Sequence, residues 1–120
     1  MNNSSNLDLF RATHALEKAK SLRKESVNRL PGLIIANGLL ATLAFVSEEK
    51  DEREPLRNAM DAVAHYLLKR KIITAKDNNK SLAEQMLEDL TKSPSSKLQQ
   101  ATYETLKYLS YLKRFAKKKI

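Results

Sequence analysis

The chain has 120 residues, 42% hydrophobic but only 6% aromatic, and its 22 basic residues against 14 acidic ones give a formal net charge of +8. That length allows one domain with a single modest core, and two glycines leave little turn chemistry for an all-β fold. The absence of cysteine excludes disulfides, thiol catalysis and thiolate zinc sites, while the excess positive charge suits work against a polyanion: RNA, DNA or an anionic membrane surface.

The opening MNNSSNLDLF has no basic segment followed by an apolar core, so no signal peptide is expected and the chain is placed in the cytoplasm. From about residue 7 to residue 29 the spacing predicts one long amphipathic helix. Leu9, Ala12, Leu16, Ala19, Val27 and Leu30 fall on one side at helical period. Arg11, Lys18 and Arg29 fall opposite, with Glu25 among them, and Arg23 projects near the apolar edge.

Residues 30–46, LPGLIIANGLLATLAFV, carry no charge in a chain that is 30% charged. Asn37-Gly38 is a favoured hairpin turn, but its flanks neither alternate in polarity nor carry enough β-branched residues for strands. A membrane span needs about 20 apolar residues, and this run is shorter, holds Pro31, Asn37 and Thr42, and meets SEEKDERE directly behind. A central helix remains, with Pro31 in its first turn and apolar residues on all sides. Gly38 costs about 1 kcal/mol within it, justified by close approach of another helix, and Asn37 then requires buried partners.

SEEKDERE reads as a solvated acidic turn, followed by a helix opening at Pro55 with a stripe of Leu56, Met60, Val63 and Leu67. Lys69, Arg70 and Lys71 suit its C-terminal end. AKDNNK is a loop, Ser81 with Glu84 forms a capping box for a short helix to about Leu90, and Ser96 with Gln99 offers a second box opening the final helix. The expected architecture is all-α: a single domain, residues 1–120, forming a compact bundle of about five helices around the central apolar one.

The final helix has an apolar face of Leu98, Ala101, Thr105, Tyr108, Leu109, Leu112, Phe115 and Ala116. Tyr103, Lys107, Tyr111, Arg114 and Lys118 follow one another as a second row. No acid follows Glu104, and Lys113, Arg114, Lys117, Lys118 and Lys119 crowd the end. Cations there can contact phosphates, and tyrosines between them can lie against sugars or unpaired bases. The candidate RNA-binding residues are therefore Lys107, Lys113, Arg114, Lys117 and Lys118, with Arg11 and Lys18 as a second basic side. The same cations also suit a helix C-terminus without any ligand, and Tyr111 can pack on a neighbouring helix.

Catalytic groups are sparse. His14 stands within the first predicted helix, and His65 stands four after Asp61, where a surface hydrogen bond suffices. Neither has metal-ligand spacing to a second His or Cys, so no metal and no cofactor are expected. Helical ribonucleases of the HEPN class keep Arg and His four to six residues apart. Arg57 and His65 have seven residues between them and Arg11 and His14 only two, so neither pair fits. With no Gly-rich phosphate loop or nucleophile elbow, a non-enzyme is expected.

Three places carry a resemblance: Arg11-Ala12; the segment with Pro31, Asn37, Gly38 and Leu39 running into Ala44-Phe45; and the closing run Leu112, Lys113, Arg114, Phe115, Ala116. In these the chain resembles the small helical subunit of the type III-B CRISPR (Cmr) effector complex. The likeness covers about half the chain and does not extend over residues 48–100. The family commonly has tryptophan before Leu-Lys-Arg, where this chain has Tyr111. The resemblance implies a non-catalytic bundle in a crRNA-guided ribonucleoprotein. Copies would stack in a minor filament and line the channel for guide and target RNA, with other Cmr subunits as partners and no membrane. Sequence would be read by the guide, each copy offering a few cations to the phosphate backbone. Two alternatives are a small helix-turn-helix-like DNA-binding regulator, whose recognition helix in DNNKSLAEQMLEDL would be acidic at Glu84, Glu88 and Asp89, and a scaffold whose basic face binds an acidic protein.

Overall fold

The computed structural model describes residues 3–117, which form six α-helices: α1 (Asn3–Ala19), α2 (Lys24–Asn37), α3 (Leu39–Ser47), α4 (Glu54–Lys69), α5 (Leu82–Thr91) and α6 (Ser95–Phe115). A 3-10 turn, Asp51–Arg53, leads into α4, and an isolated parallel bridge joins Arg23 to Lys117. The described residues contain no β-strand, as the composition implied.

Two interruptions separate this architecture from the five helices expected. The first predicted helix ends at Ala19 and restarts at Lys24, with Ser21 and Leu22 donating backbone bonds to Lys18 and Ala19 in a tight turn. Pro31 therefore sits inside α2 rather than in a first turn. The second interruption is Gly38, at φ 89° and ψ 159°, a conformation that L side chains rarely adopt. Its N–H closes α2 on the Ile34 carbonyl at 2.7 Å, and its own carbonyl accepts from the Thr42 N–H at 3.2 Å and Oγ1 at 2.9 Å to open α3. A Cβ at this position would meet no atom within 4 Å, so the glycine serves the backbone angle and not close helix approach.

The uncharged run is consequently not a central helix. Leu30, Ile34, Leu39, Leu43 and Val46 are buried, but Gly32, Ala36, Asn37, Ala41 and Ala44 are exposed and Ile35 is 75% exposed. Lack of charge does not compel burial, because Ala, Gly and Asn tolerate solvent, so α2 and α3 form a bent pair with one side inward. Asn37 needs no buried partner. The centre belongs to α4, which contacts all five other helices. Its predicted stripe of Leu56, Met60, Val63 and Leu67 is buried, joined by Ala59, Ala62, Ala64 and Tyr66. Around it, α1 lies mainly on α6, and α3 mainly on α5.

The apolar stripe of α1 is rotated from its predicted position. Leu9 and Leu16 point outward at 67% and 53% exposure, while Ala15 and the charged Arg11 are buried; Ala19, from the predicted stripe, is buried as expected. The predicted cap of α5 forms: Ser81 Oγ accepts from the Glu84 N–H at 3.2 Å. The second capping box does not form. The N-cap of α6 is Pro94, whose carbonyl accepts from Lys97 and Leu98.

Candidate nucleic-acid interface

The candidate surface is set by how α6 is clamped. Ala101, Thr105, Tyr108, Leu109, Leu112 and Ala116 are buried, with Leu98 and Phe115 half-buried, so the predicted apolar face is the packed one. Glu104 joins it, 6% exposed, and holds the helix rotation. Arg11 donates from Nε to Glu104 Oε1 at 3.2 Å and from Nη2 to Oε1 and Oε2 at 3.1 and 3.0 Å. Tyr66 Oη donates to Oε1 at 2.9 Å, and Arg70 Nη1 donates to the same oxygen at 2.9 Å and to Tyr66 Oη at 2.6 Å. Arg11 Nη1 also reaches Asp8 Oδ1 at 2.8 Å.

This network corrects one sequence expectation. Arg11 is 6% exposed and its guanidinium is committed to Glu104, so it faces inward and does not join a basic outer side. Burial opposes its charge, but the hydrogen bonds and charge of Glu104 outweigh that and raise its pKa. For Glu104, burial pushes the carboxyl up, yet the bonds from Arg11 and Tyr66 and the charge of Arg70 together hold it below the usual range. A sequence reader assigns Arg to the solvent side, and a carboxylate 93 positions away gives no local signal of the pairing.

A second polar cluster adjoins the first. Tyr108 Oη lies 2.6 Å from His14 Nδ1, and His14 Nε2 lies 2.7 Å from His65 Nδ1. Burial pushes the Tyr108 hydroxyl up, so the phenol stays protonated in its hydrogen bond with the His14 ring. Burial, with the charges of His65, Lys18 and Lys69, lowers His14 to about 4, and burial with Lys18 and Lys69 lowers His65. Both rings are neutral at pH 7. The Tyr66 and Tyr108 rings stack at 4.4 Å and join the two clusters. Asp61 does not hold His65; it accepts from the Ala83 N–H of α5 at 2.8 Å. Among the described residues no three His, Cys, Asp or Glu gather where a metal ion could be held, and no helix is long and apolar enough to cross a membrane.

With its inner face so fixed, α6 presents Gln100, Tyr103, Lys107, Lys113 and Arg114 to solvent, and Lys117 follows just beyond its end. None of the four basic residues is in an ion pair among the described residues. Tyr103 is 58% exposed, with the Lys107 ammonium 5.6 Å from its ring centroid. Tyr111 is half-buried against Phe115, ring centroids 6.4 Å apart, so the two tyrosines of the predicted row have different surroundings. Lys118 and Lys119 lie outside the described residues. Lys18 is half-buried beside His65, away from this row, whereas Arg29 is exposed on α2.

Two cations join the end of α6 that spacing along one helix could not reveal. Lys24 Nζ donates to the Lys113 carbonyl at 2.7 Å and the Ala116 carbonyl at 3.4 Å, and Arg23 pairs backbone with Lys117. The break between α1 and α2 brings them there.

No curated protein and no solved structure gives a significant match. The family model described as CRISPR-associated protein (Cas_Cmr5) matches residues 8–119, including the stretch 48–100 in which the sequence motifs were silent. The chain belongs to the Cmr5 family of CRISPR-associated proteins, the small subunits of type III-B Cmr complexes.

Proposed function

We propose that this protein is a non-catalytic subunit of an RNA-guided Cmr effector complex that lies along guide and target RNA and contacts their backbone through the outer face of α6. The observation that carries the reading is the state of the cations. Lys107, Lys113, Arg114 and Lys117 are exposed and unpaired among the described residues, on a stretch of chain with no acid after Glu104. Lys118 extends the same row in sequence. Cations of this kind neutralise phosphates without reading bases, which suits a complex whose sequence is read by the guide. Tyr103, exposed beside Lys107, offers a ring to a sugar or an unpaired base. Copies stack beside other Cmr subunits, and the exposed Leu9 and Leu16 on α1 and Ile35 on α2 supply apolar area for such contacts.

One subunit making about three phosphate contacts binds weakly, and stacked copies gain by effective concentration. The DNA-regulator reading is less well supported, because α5 has Glu88 paired with Lys80 and Asp89 with Lys97 on a net acidic helix. The test is a gel shift of the Lys107→Glu, Arg114→Glu, Lys118→Glu variant against wild type on single-stranded RNA and duplex DNA. The expected result is weak, salt-sensitive RNA binding by wild type, lost in the variant with helicity unchanged. A sequence-specific, submicromolar affinity of the lone subunit, or a preference for DNA, contradicts the reading.

A further inference from the structure

Resting on that reading of α6, we propose that the cleft between the end of α4 and the beginning of α6 is a further phosphate-binding site for the same single RNA strand, with Lys71 as its principal cation. The cleft measures about 640 Å³. Arg70, Lys71 and Lys97 line it together with Ser96 and Gln100, and no carboxylate does. Two of the cations are anchored from behind: Arg70 Nη1 on Glu104 and Tyr66, Lys97 Nζ on Asp89 at 2.9 Å. Lys71 is exposed and is in no ion pair among the described residues.

The backbone at Lys71 adds a reason to look to its side chain. Its φ is 60°, the only non-glycine residue with positive φ among those described. It ends α4 by donating its N–H to the Leu68 carbonyl at 3.0 Å while Ile72 donates to Leu67 at 2.9 Å, a helix ending that glycine fits best. Here the fold accommodates a lysine whose side chain packs on no core, so what it contributes is a charge at the cleft mouth.

Continuity with α6 supplies the ligand. Gln100 lines the cleft and shares its exposed helix face with Tyr103, Lys107 and Arg114, at steps of three, four and seven. From Gln100 to Arg114 the rise of 1.5 Å per residue gives about 21 Å of track. A strand laid on Lys107 and Arg114 and continued toward the start of α6 reaches the cleft, where Lys71 meets a phosphodiester and Ser96 and Gln100 can donate to its oxygens.

The test uses the full chain and a 5′-labelled oligouridylate of about 15 nucleotides, with anisotropy titrations over a range of salt. Lys71→Glu and Lys71→Gly are compared with the Lys107→Glu, Arg114→Glu variant. Each Lys71 change is expected to flatten the plot of log affinity against log salt by about 0.7, one phosphate contact on a single strand. Lys71→Gly is also expected to melt at or above the wild-type temperature, so lost binding cannot be lost folding. Unchanged slopes in both Lys71 variants, with a flattened slope in the α6 variant, overturn the cleft and leave the α6 reading standing. Unchanged slopes in all three variants overturn both.

Discussion

Glu104 is the residue whose replacement most directly tests the account of how α6 is oriented. Glu104→Gln keeps the shape but removes the charge that Arg11 faces, with side-chain exposures of 7% for Arg11 and 8% for Glu104. Breaking a buried pair from one side costs about 3–5 kcal/mol, because the remaining charge is left without compensation. Here two guanidiniums and the Tyr66 hydroxyl converge on one carboxylate, which puts the expected loss in the upper part of that range. A chain of this length has roughly 6–18 kcal/mol of total stability at about 0.05–0.15 kcal/mol per residue. The substitution therefore removes a large fraction, equivalent to a fall in melting temperature of about 10–25 °C. Urea titration followed by far-ultraviolet circular dichroism measures it. Arg11→Met combined with Glu104→Gln should cost less than the sum of the two single changes in a double-mutant cycle, since the two residues are directly bonded. A loss below about 1 kcal/mol for Glu104→Gln would refute the reasoning, since the network would then be ornamental to the packing of α1 on α6.

The two glycines should respond with opposite sign. Gly38→Ala, at φ 89°, is expected to cost about 1–3 kcal/mol, whereas Gly32→Ala, exposed in α2 with nothing within 4 Å of the added Cβ, is expected to gain about 0.5–1 kcal/mol in the same urea titration. His14 predicts an acid sensitivity. Its folded pKa of about 4 lies below the ordinary 6.5, so the unfolded chain binds the proton more readily and stability falls as pH drops from about 6.5 toward 4. The shift sets a ceiling of about 3 kcal/mol, reduced to about 1–2 for a half-exposed ring. Urea midpoints between pH 7.5 and 4.5 should show the fall, and His14→Gln should flatten it; an equal fall in the variant assigns the sensitivity elsewhere.

What could be read from the sequence was whatever local periodicity and capping decide. The stripe of α4, the packed face of α6 and the Ser81 cap are all local patterns, and all are found. The places where the reading failed need partners distant in sequence. Arg11 turns inward because Glu104 waits there, and that rotates α1 so that Leu9 and Leu16 face water. The His14–His65 contact likewise joins two helices that no spacing rule connects. The uncharged run departs from expectation for another reason: an absence of charge does not compel all-round burial, while its glycine marks a change of backbone direction. On the candidate surface, the row of cations was legible because α6 is one uninterrupted helix. Lys71, Arg23 and Lys24 were not, since chain breaks deliver them to it.

The division of labour between arginine and lysine ties these points together. Arg53 lies over the Phe45 ring at 3.7 Å, donates to the Phe45 carbonyl at 2.9 Å and pairs with Glu48. Arg57 donates from Nε to the Val46 carbonyl at 2.9 Å, so both satisfy carbonyls left open at the end of α3. Arg11 and Arg70 hold Glu104. These four guanidiniums, of the kind suited to bidentate reading of guanine, are committed to the fold, whereas Arg23, Arg29 and Arg114 are exposed. On the outer face of α6 and just beyond its end, Lys107, Lys113 and Lys117 stay exposed as point charges on flexible stems, and Arg114 is the single guanidinium among them. A surface so furnished favours contact with a phosphate chain over recognition of bases. It also separates two kinds of substitution: charge reversal at Lys107 should weaken RNA binding and spare the melting temperature, while replacing Arg57 with methionine should lower the melting temperature and leave the salt dependence of binding unchanged.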